Sequence, residues 1–281
     1  MSEEQSVVDW VRQVRVTLSE DEVRVRLRES GWSDAIIEDV IVESRKPNNL
    51  VMSMNSVPAI EASVVYANPN TFDGFNKLDC GDRQVSVAFE MESPRVVVVD
   101  NFMSDQECDL MIERARPYIS RSTVVEHGTA NNIVDPVRTS QGMFFNQQQD
   151  EFIKTIENRM SEFAKWPVLN GEGMQVLRYG PGELYKPHND YFNRNDPSNH
   201  PILQRGGQRV ATVLVYLNDV EAGGGTSFPD VKLEVKPRKG TAIFFAYPTA
   251  DGSSKTLHGG SPVLQGEKWV CVKWFRENQF S

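Results

Sequence analysis

His188 and Asp190 stand two residues apart in "YKPHNDYF", in a chain of 281 residues with only four histidines. A His-x-Asp pair is common in polar loops and alone says little. It becomes a metal site when a third ligand and open coordination positions accompany it. His258, in "KTLHGGSPVL", meets the first condition: it follows Asp190 by 68 residues, after three expected strands and next to two glycines. Two imidazoles and one carboxylate form the facial triad of non-haem Fe(II), which leaves positions for a co-substrate and O2. Zinc can use the same three ligands at a hydrolytic centre, so the triad alone leaves the metal open.

Ten residues after His258 comes Lys268, in "GEKWVCVKWF". Strand alternation places Lys268, Val270, Val272 and Trp274 on one face and Trp269, Cys271 and Lys273 on the other. The first face is apolar except for its lysine. Taken alone, an exposed lysine at a strand start is the plainer reading. A lysine pointing inward needs a counter-ion, because an unpaired buried charge is costly, and an anionic ligand beside the metal would supply one.

These residues need elements to hold them. From Arg95 onward the signals are strong. "RVVVVDNF" predicts a strand, Ser104 with Glu107 forms a capping box for "DQECDLMIERARPY", and "DEFIKTIENRMSEFAKW" is a second amphipathic helix. The remainder reads as strands: "MQVLRY", "RVATVLVYL", "LEVKP", "TAIFFAY" and "WVCVKWF", separated by Gly, Pro, Asn and Asp. Two helices followed by a run of short strands predict helices packed on a β-sandwich or barrel. Upstream, Val7, Val8, Trp10 and Val11 form an apolar cluster. Ser19 with Glu22 caps a helix that Gly31 stops, and Ser33 caps "DAIIEDVIVES". Val23, Val25 and Leu27 alternate as in a strand, but the Arg and Glu between them favour helix. Between these regions, "KPNNL" and "NPNTFDG" are turn-rich, and "SVVYA" and "VSVAFEM" predict short strands.

Composition sets the bounds. A hydrophobic fraction of 39%, with 14 Phe and 5 Trp, suffices for a sizeable core. The net charge of -9 and the lack of a basic block argue against nucleic acid and an anionic membrane surface as partners. Three widely spaced cysteines, Cys80, Cys108 and Cys271, make no disulfide framework and suit a reducing compartment. The start "MSEEQSVVDW" lacks a secretory h-region, and no apolar stretch approaches the roughly 20 residues that span a bilayer. The expectation is a cytoplasmic protein with three reduced thiols.

"LRYGPGELYKPHNDYF", "GGQRVATVLVYLNDVEAGGGTSFP" and "LHGGSPVLQGEKWVCVKWF" together resemble the catalytic domain of prolyl 4-hydroxylases. The resemblance runs from about Pro94 to Phe280 and includes "NFMSDQECDLMI" and "VRTSQGMFF". It implies an α+β protein whose double-stranded β-helix (jelly-roll) core is supported by helices; the first 90 residues fall outside it. With the helical and turn signals upstream, the expected organisation is a small N-terminal helical module over 1–45, a linker and outer-layer segment over 46–93, and the catalytic domain over 94–281.

By the same resemblance His188, Asp190 and His258 would bind Fe(II). Lys268, Tyr179 and Thr226 would hold the distal carboxylate of 2-oxoglutarate, a charge-assisted cradle of one ammonium and two hydroxyls. Tyr185, Arg138, Arg209 and Trp274 match positions on the proline-binding side. Arg209 begins a strand whose same-face residues, Ala211, Val213, Val215 and Leu217, are apolar, which suits a place at the cavity mouth. An Arg packed over the sheet against a carboxylate is the plainer alternative. His127 and His200 have no motif support and read as exposed loop residues. The implied reaction consumes O2 and 2-oxoglutarate, releases succinate and CO2, and hydroxylates an unactivated C–H, with ascorbate as reductant and peptidyl proline at C4 as the first candidate. A free amino acid or another side chain is the second candidate, and a non-catalytic binding module on the same fold is the third reading, which the intact triad and Lys268 oppose. The sequence leaves a homodimer open. Asn189, where similar enzymes often carry tyrosine, and "YPTADGSSKT" depart from the family pattern and put the substrate's identity in doubt.

Overall fold

The computed structural model describes residue 11 and residues 19–30, 32–45, 67–69, 76–121, 124–125, 132–133 and 139–281. The chain divides into two compact units, residues 1–61 and 62–281.

In the first unit, α1 (Glu20–Glu29) and α2 (Asp34–Arg45) are both helical. Ser19 and Glu22 form the expected reciprocal cap of α1. Val23 and Leu27, four apart on one face, are buried, while Val25 on the opposite face is 49% exposed. That pattern is helical, and the apparent strand alternation has no structural counterpart. Val11, Val23, Leu27, Ile37, Val40 and Ile41 make the small core of this unit. Val7, Val8, Trp10 and most of "SVVYA" lie outside the described residues.

The second unit is the jelly roll. Its strands before the helices are β1 (Lys77–Asp79), β2 (Gln84–Met91) and β3 (Arg95–Asp100), followed by α3 (Asp105–Ala115). Then come β4 (Ser120–Arg121), the hairpin β5 (Val124–Val125) and β6 (Asn132–Ile133), β7 (Gln141–Phe145) and α4 (Glu151–Ala164). The catalytic half contains β8 (Met174–Tyr179), β9 (Tyr185–His188), β10 (Arg209–Tyr216), β11 (Ala222–Gly223), β12 (Thr226–Phe228) and β13 (Leu233–Val235). It ends with β14 (Ala242–Ala246), β15 (His258–Gly260), β16 (Val263–Gln265) and β17 (Lys268–Arg276).

Nine strands form one large antiparallel sheet in the order β1-β2-β3-β14-β10-β17-β8-β7-β4. A smaller sheet, β13-β12-β15-β9, carries the histidines, and β11 pairs with β16. The large sheet is buried on both faces because each central strand alternates between two cores. Phe244, Val213, Val215, Cys271 and Phe275 face α3 and α4, where Met111, Ile153, Ile156, Met160 and Phe163 meet them. Each such side chain contributes roughly 1.5–3 kcal/mol by leaving water. Ile243, Phe245, Tyr216, Leu177, Val270, Val272 and Trp274 face the smaller sheet instead.

Charge holds the helical layer in register. Lys273 on β17 donates at 2.7 Å to Glu157 of α4 and at 2.7 Å to the Glu172 carbonyl, and both ionised side chains are fully buried. Burial pushes the Lys273 ammonium below its usual range, against the pull of Glu157. Arg159 of α4 bonds Asp82, Glu107 and the Phe102 carbonyl, tying α4 to the start of α3. Glu107, which caps α3 with Ser104 as expected, is therefore shared between the cap and this arginine.

Candidate active site

Two short strands of the smaller sheet bring the candidate ligands together. His188 ends β9 and His258 begins β15, and the two are direct register partners. Their rings lie 4.5 Å apart. The ladder slips between His258 and Gly260, where two residues of β9, Lys186 and Pro187, stand opposite Gly259 alone. A Cβ on Gly259 would lie 2.8 Å from the Tyr185 carbonyl oxygen. A glycine is needed there for β15 to approach β9 closely enough to face the histidines together.

Asp190 follows β9 by two residues and turns inward. Its Oδ1 is 3.7 Å from His188 Nε2 and its Oδ2 is 3.6 Å from His258 Nε2. Each imidazole contacts the main-chain oxygen two residues earlier through Nδ1, at 2.9 Å: His188 to Lys186 and His258 to Thr256. A carbonyl only accepts, so both Nδ1 atoms carry a proton, and each ring turns its Nε2 toward Asp190. The three donors lie within 4.8 Å of one another. Burial raises the Asp190 pKa, but His258, His188, Arg209 and the Thr212 hydroxyl outweigh it and hold the carboxyl at about 2. Two imidazoles and one carboxylate, pre-aimed at one point, suit a divalent first-row metal.

The opposite wall of the pocket belongs to the large sheet. Lys268 opens β17 directly across from Tyr179, the last residue of β8. Its side chain is 3% exposed and points into the same pocket as the histidines. The Nζ lies 5.3 Å from the Tyr179 ring centre and 5.5 Å from that of Tyr216. Among the described residues, no carboxylate forms an ion pair with it. Burial brings the ammonium down from 10.5 to about 7, with only the more distant Glu234 opposing. Thr226, on β12, is 2% exposed and lines the same pocket. Leu177, Leu214, Phe245, Val270 and Val272 supply its apolar walls.

The 2OG-Fe(II) oxygenase superfamily model matches residues 174–276. Probable prolyl 4-hydroxylase 8 of Arabidopsis thaliana is 40% identical over 222 residues, covering 72% of this chain and 74% of the plant protein. The chain belongs to the prolyl 4-hydroxylase family. Prolyl 4-hydroxylase 1 of the same plant is 43% identical over 206 residues, covering 67% of this chain and 71% of that protein. The crystal structure of the viral collagen prolyl hydroxylase vCPH from Paramecium Bursaria Chlorella virus-1, in its 2OG complex, is 33% identical. It superposes with a TM-score of 0.51 over 64% of this chain and 95% of the viral one. This prolyl 4-hydroxylase family member is a 2-oxoglutarate-dependent dioxygenase, and Fe(II) is the metal that its triad suits. The choice between iron and zinc, open on the triad alone, is thereby made.

Six of the sequence-predicted residues, His188, Asp190, His258, Lys268, Tyr179 and Thr226, line one pocket. Tyr185 and Trp274 line it too. Tyr185 stacks on the His188 ring at 3.7 Å. Arg138 and His127 lie outside the described residues, and His200 is exposed.

Arg209 requires a correction. Alternation groups it with Ala211, Val213 and Val215, which in fact face the helices. A bulge between Arg209 and Ala211 swings Arg209 to the other face. There it stacks over Trp274 at 4.1 Å. It pairs with Glu172 at 2.6 Å and donates to the Asp190 carbonyl at 3.3 Å. The arginine is thus carboxylate-paired, as in the plainer reading, and sits beside the metal ligands as well.

Sequence reasoning missed three buried hydroxyl-bearing residues at the site, of which Thr212 lines the pocket itself. Tyr216 Oη lies 2.7 Å from Thr226 Oγ1 and 3.0 Å from the Val235 carbonyl. Thr212 Oγ1 is 2.6 Å from Asp190 Oδ2, and Tyr247 Oη is 3.0 Å from Thr212 Oγ1. Their signal was the polar minority, Thr212 and Tyr216, within "RVATVLVYL". It was hidden because the strand was phased from Arg209.

Proposed function

We propose that this chain hydroxylates peptidyl proline at C4, using Fe(II), 2-oxoglutarate and O2, with ascorbate keeping the metal reduced. His188, Asp190 and His258 hold the iron. Lys268, with the Tyr179 and Thr226 hydroxyls, takes the distal carboxylate of 2-oxoglutarate. When bound, the iron couples decarboxylation of the co-substrate to succinate and CO2 with insertion of one oxygen atom into a C–H bond.

The observation that carries this reading is the buried Lys268 ammonium with no ion-pair partner among the described residues, in the pocket that holds the triad. A dianionic co-substrate supplies the missing counter-ion and gains a charge-assisted hydrogen bond in a dry setting. Tyr216 holds Thr226 by its hydroxyl, so the cradle is positioned before the ligand arrives.

The substrate side has its own signature. Trp274 is 8% exposed, and its Nε1–H has no hydrogen-bond partner among the described residues. A buried donor left unmade costs about 1–3 kcal/mol, and an amide carbonyl of a bound peptide would satisfy it. Tyr185 and the Trp274 ring offer aromatic faces to a pyrrolidine. Arg209, clamped by Glu172, backs the Trp274 ring, and Arg138 is assigned to the peptide side by the family resemblance alone. We place the protein in the cytoplasm, in keeping with three buried free thiols. Among the described residues no helix is long and apolar enough to cross a membrane.

The test is incubation of the purified chain with Fe(II), ascorbate, 2-oxoglutarate and proline-rich peptides, read by mass spectrometry. The expected result is a 16-dalton gain on proline, with succinate formed in equal amount. Hydroxylation confined to a free amino acid or a non-proline side chain would replace peptidyl proline as the substrate. Absence of any 2-oxoglutarate turnover across peptides and lysate would favour a binding module.

A further inference from the structure

The Asp190 carboxylate is held by a two-hydroxyl relay whose proton directions can be worked out. Thr212 Oγ1 lies 2.6 Å from Asp190 Oδ2, and Tyr247 Oη lies 3.0 Å from Thr212 Oγ1. The side chains are buried, at 6% exposure for Asp190, 1% for Thr212 and 3% for Tyr247. A carboxylate only accepts, so the single Thr212 proton goes to Asp190. The contact with Tyr247 then has one direction: the phenol donates to Thr212. The order Tyr247 to Thr212 to Asp190 is a series; among the described residues, Thr212 alone bonds the carboxylate through a hydroxyl.

We propose that Thr212 and Tyr247 are positioning residues for the metal. Neither is a member of the His188, Asp190 and His258 cluster. Together they fix the plane of the Asp190 carboxylate by engaging Oδ2, which leaves Oδ1 facing His188 Nε2 at 3.7 Å. On the other side, Arg209 holds the Asp190 main-chain oxygen at 3.3 Å and comes no nearer than 4.0 Å to Oδ1. The backbone is therefore anchored by Arg209 and the carboxylate by the relay. Without the relay the carboxylate rotates about its last torsion, and the site must be organised at the moment of metal binding. Partners of this kind typically change metal affinity by about 10–100-fold.

The inference rests on the metal reading of His188, Asp190 and His258, and the experiment separates the two. Full-length protein is titrated with Mn(II), without 2-oxoglutarate, and free Mn(II) is read by electron paramagnetic resonance. Thr212→Val keeps the shape and removes the hydroxyl, and binding should weaken about 10–100-fold. Thr212→Ser restores the hydroxyl and should recover most of that loss. Tyr247→Phe leaves the Thr212 bond intact and should weaken binding only about two- to fivefold, because it removes just the polarising donor. The double variant should match Thr212→Val, since the phenol acts through the threonine. His188→Ala is the control and should abolish tight binding.

Wild-type affinity in Thr212→Val, with His188→Ala inactive in binding, would overturn the relay and leave the metal site standing. Wild-type affinity in His188→Ala would overturn the metal site itself. Thr212→Ser as weak as Thr212→Val, or losses from Thr212→Val and Tyr247→Phe that multiply in the double variant, would also overturn the series arrangement. Should Thr212→Val not fold, as judged by circular dichroism, Tyr247→Phe and Thr212→Ser decide. Wild-type binding in Tyr247→Phe, or a loss in Thr212→Ser larger than in Tyr247→Phe, refutes the proposal.

Discussion

Replacing Lys268 with methionine should make the ligand-free protein more stable and its co-substrate binding weaker. Methionine keeps most of the length and packing and removes only the ammonium. The pKa falls from 10.5 to about 7 on burial, which corresponds to roughly 5 kcal/mol against the charged form at about 1.4 kcal/mol per tenfold change in proton affinity. The sign follows from linkage. Between pH 7 and 10.5 the unfolded chain binds a proton at this lysine that the folded chain has released. Wild-type stability therefore rises with pH through that window, and below about pH 7 the full penalty is present. Lys268→Met lacks this slope. Urea unfolding of metal-free wild type and variant at pH 6, 7 and 8.5 should give a stability gain for the variant that is largest at pH 6 and shrinks as pH rises. In the Mn(II)-loaded protein, loss of one charge-assisted hydrogen bond, roughly 1.5–3 kcal/mol, should raise the 2-oxoglutarate Kd about tenfold to a hundredfold. Wild-type affinity should itself fall above pH 7, because binding must then take up a proton. A variant that is less stable than wild type at every pH and binds 2-oxoglutarate equally well would refute the reasoning on both counts.

Alanine at His188, Asp190 or His258 should abolish 2-oxoglutarate turnover and tight Mn(II) binding while the far-ultraviolet circular dichroism stays unchanged. Glu157→Gln should cost about 3–5 kcal/mol in urea unfolding by stranding the buried Lys273 charge, and a paired Glu157→Met, Lys273→Met variant should recover much of it. The Cys80 and Cys108 thiols are pushed up to about 12 by burial, and Cys271 is fully buried. A thiol reagent should therefore find no reactive cysteine in the folded protein at pH 8 and three after denaturation; an intramolecular disulfide in native protein would contradict this.

What could be read from the chain followed the length of each element. The strand Lys268–Arg276 and the helix Glu151–Ala164 carry enough alternating or helical periodicity to be placed within a residue or two. The strands that hold the histidines, Tyr185–His188 and His258–Gly260, are four and three residues long and rich in glycine and polar side chains. Such segments have no period of their own; they are strands because they pair with each other. The ligands were nevertheless legible, since residue type and order survive where local structure gives no signal. The phase of the strand from Arg209 was lost for a different reason. One bulge inverts the alternation beside it, and no residue in "QRVAT" announces that bulge. Glu172 was invisible for the same reason as most buried partners: its role is defined by Arg209 and Arg276, which lie 37 and 104 residues away in sequence.

The division of labour between the two sheets has a consequence for chain-length selectivity. Both histidines stand on the smaller sheet, whereas Lys268 and Tyr179 stand on the larger one. The span between the metal point and the ammonium is therefore a gap between layers, as in a caliper whose jaws are separate parts. Phe228 from one layer and Phe245 from the other set the jaws, edge to face with ring centres 5.4 Å apart. With the co-substrate held as proposed, discrimination between a five-carbon oxo-diacid and its four- or six-carbon homologues would depend on this packing between the layers, to which Phe228 and Phe245 contribute. Trimming Phe228 should shift the preferred length of the diacid without altering any group that binds it.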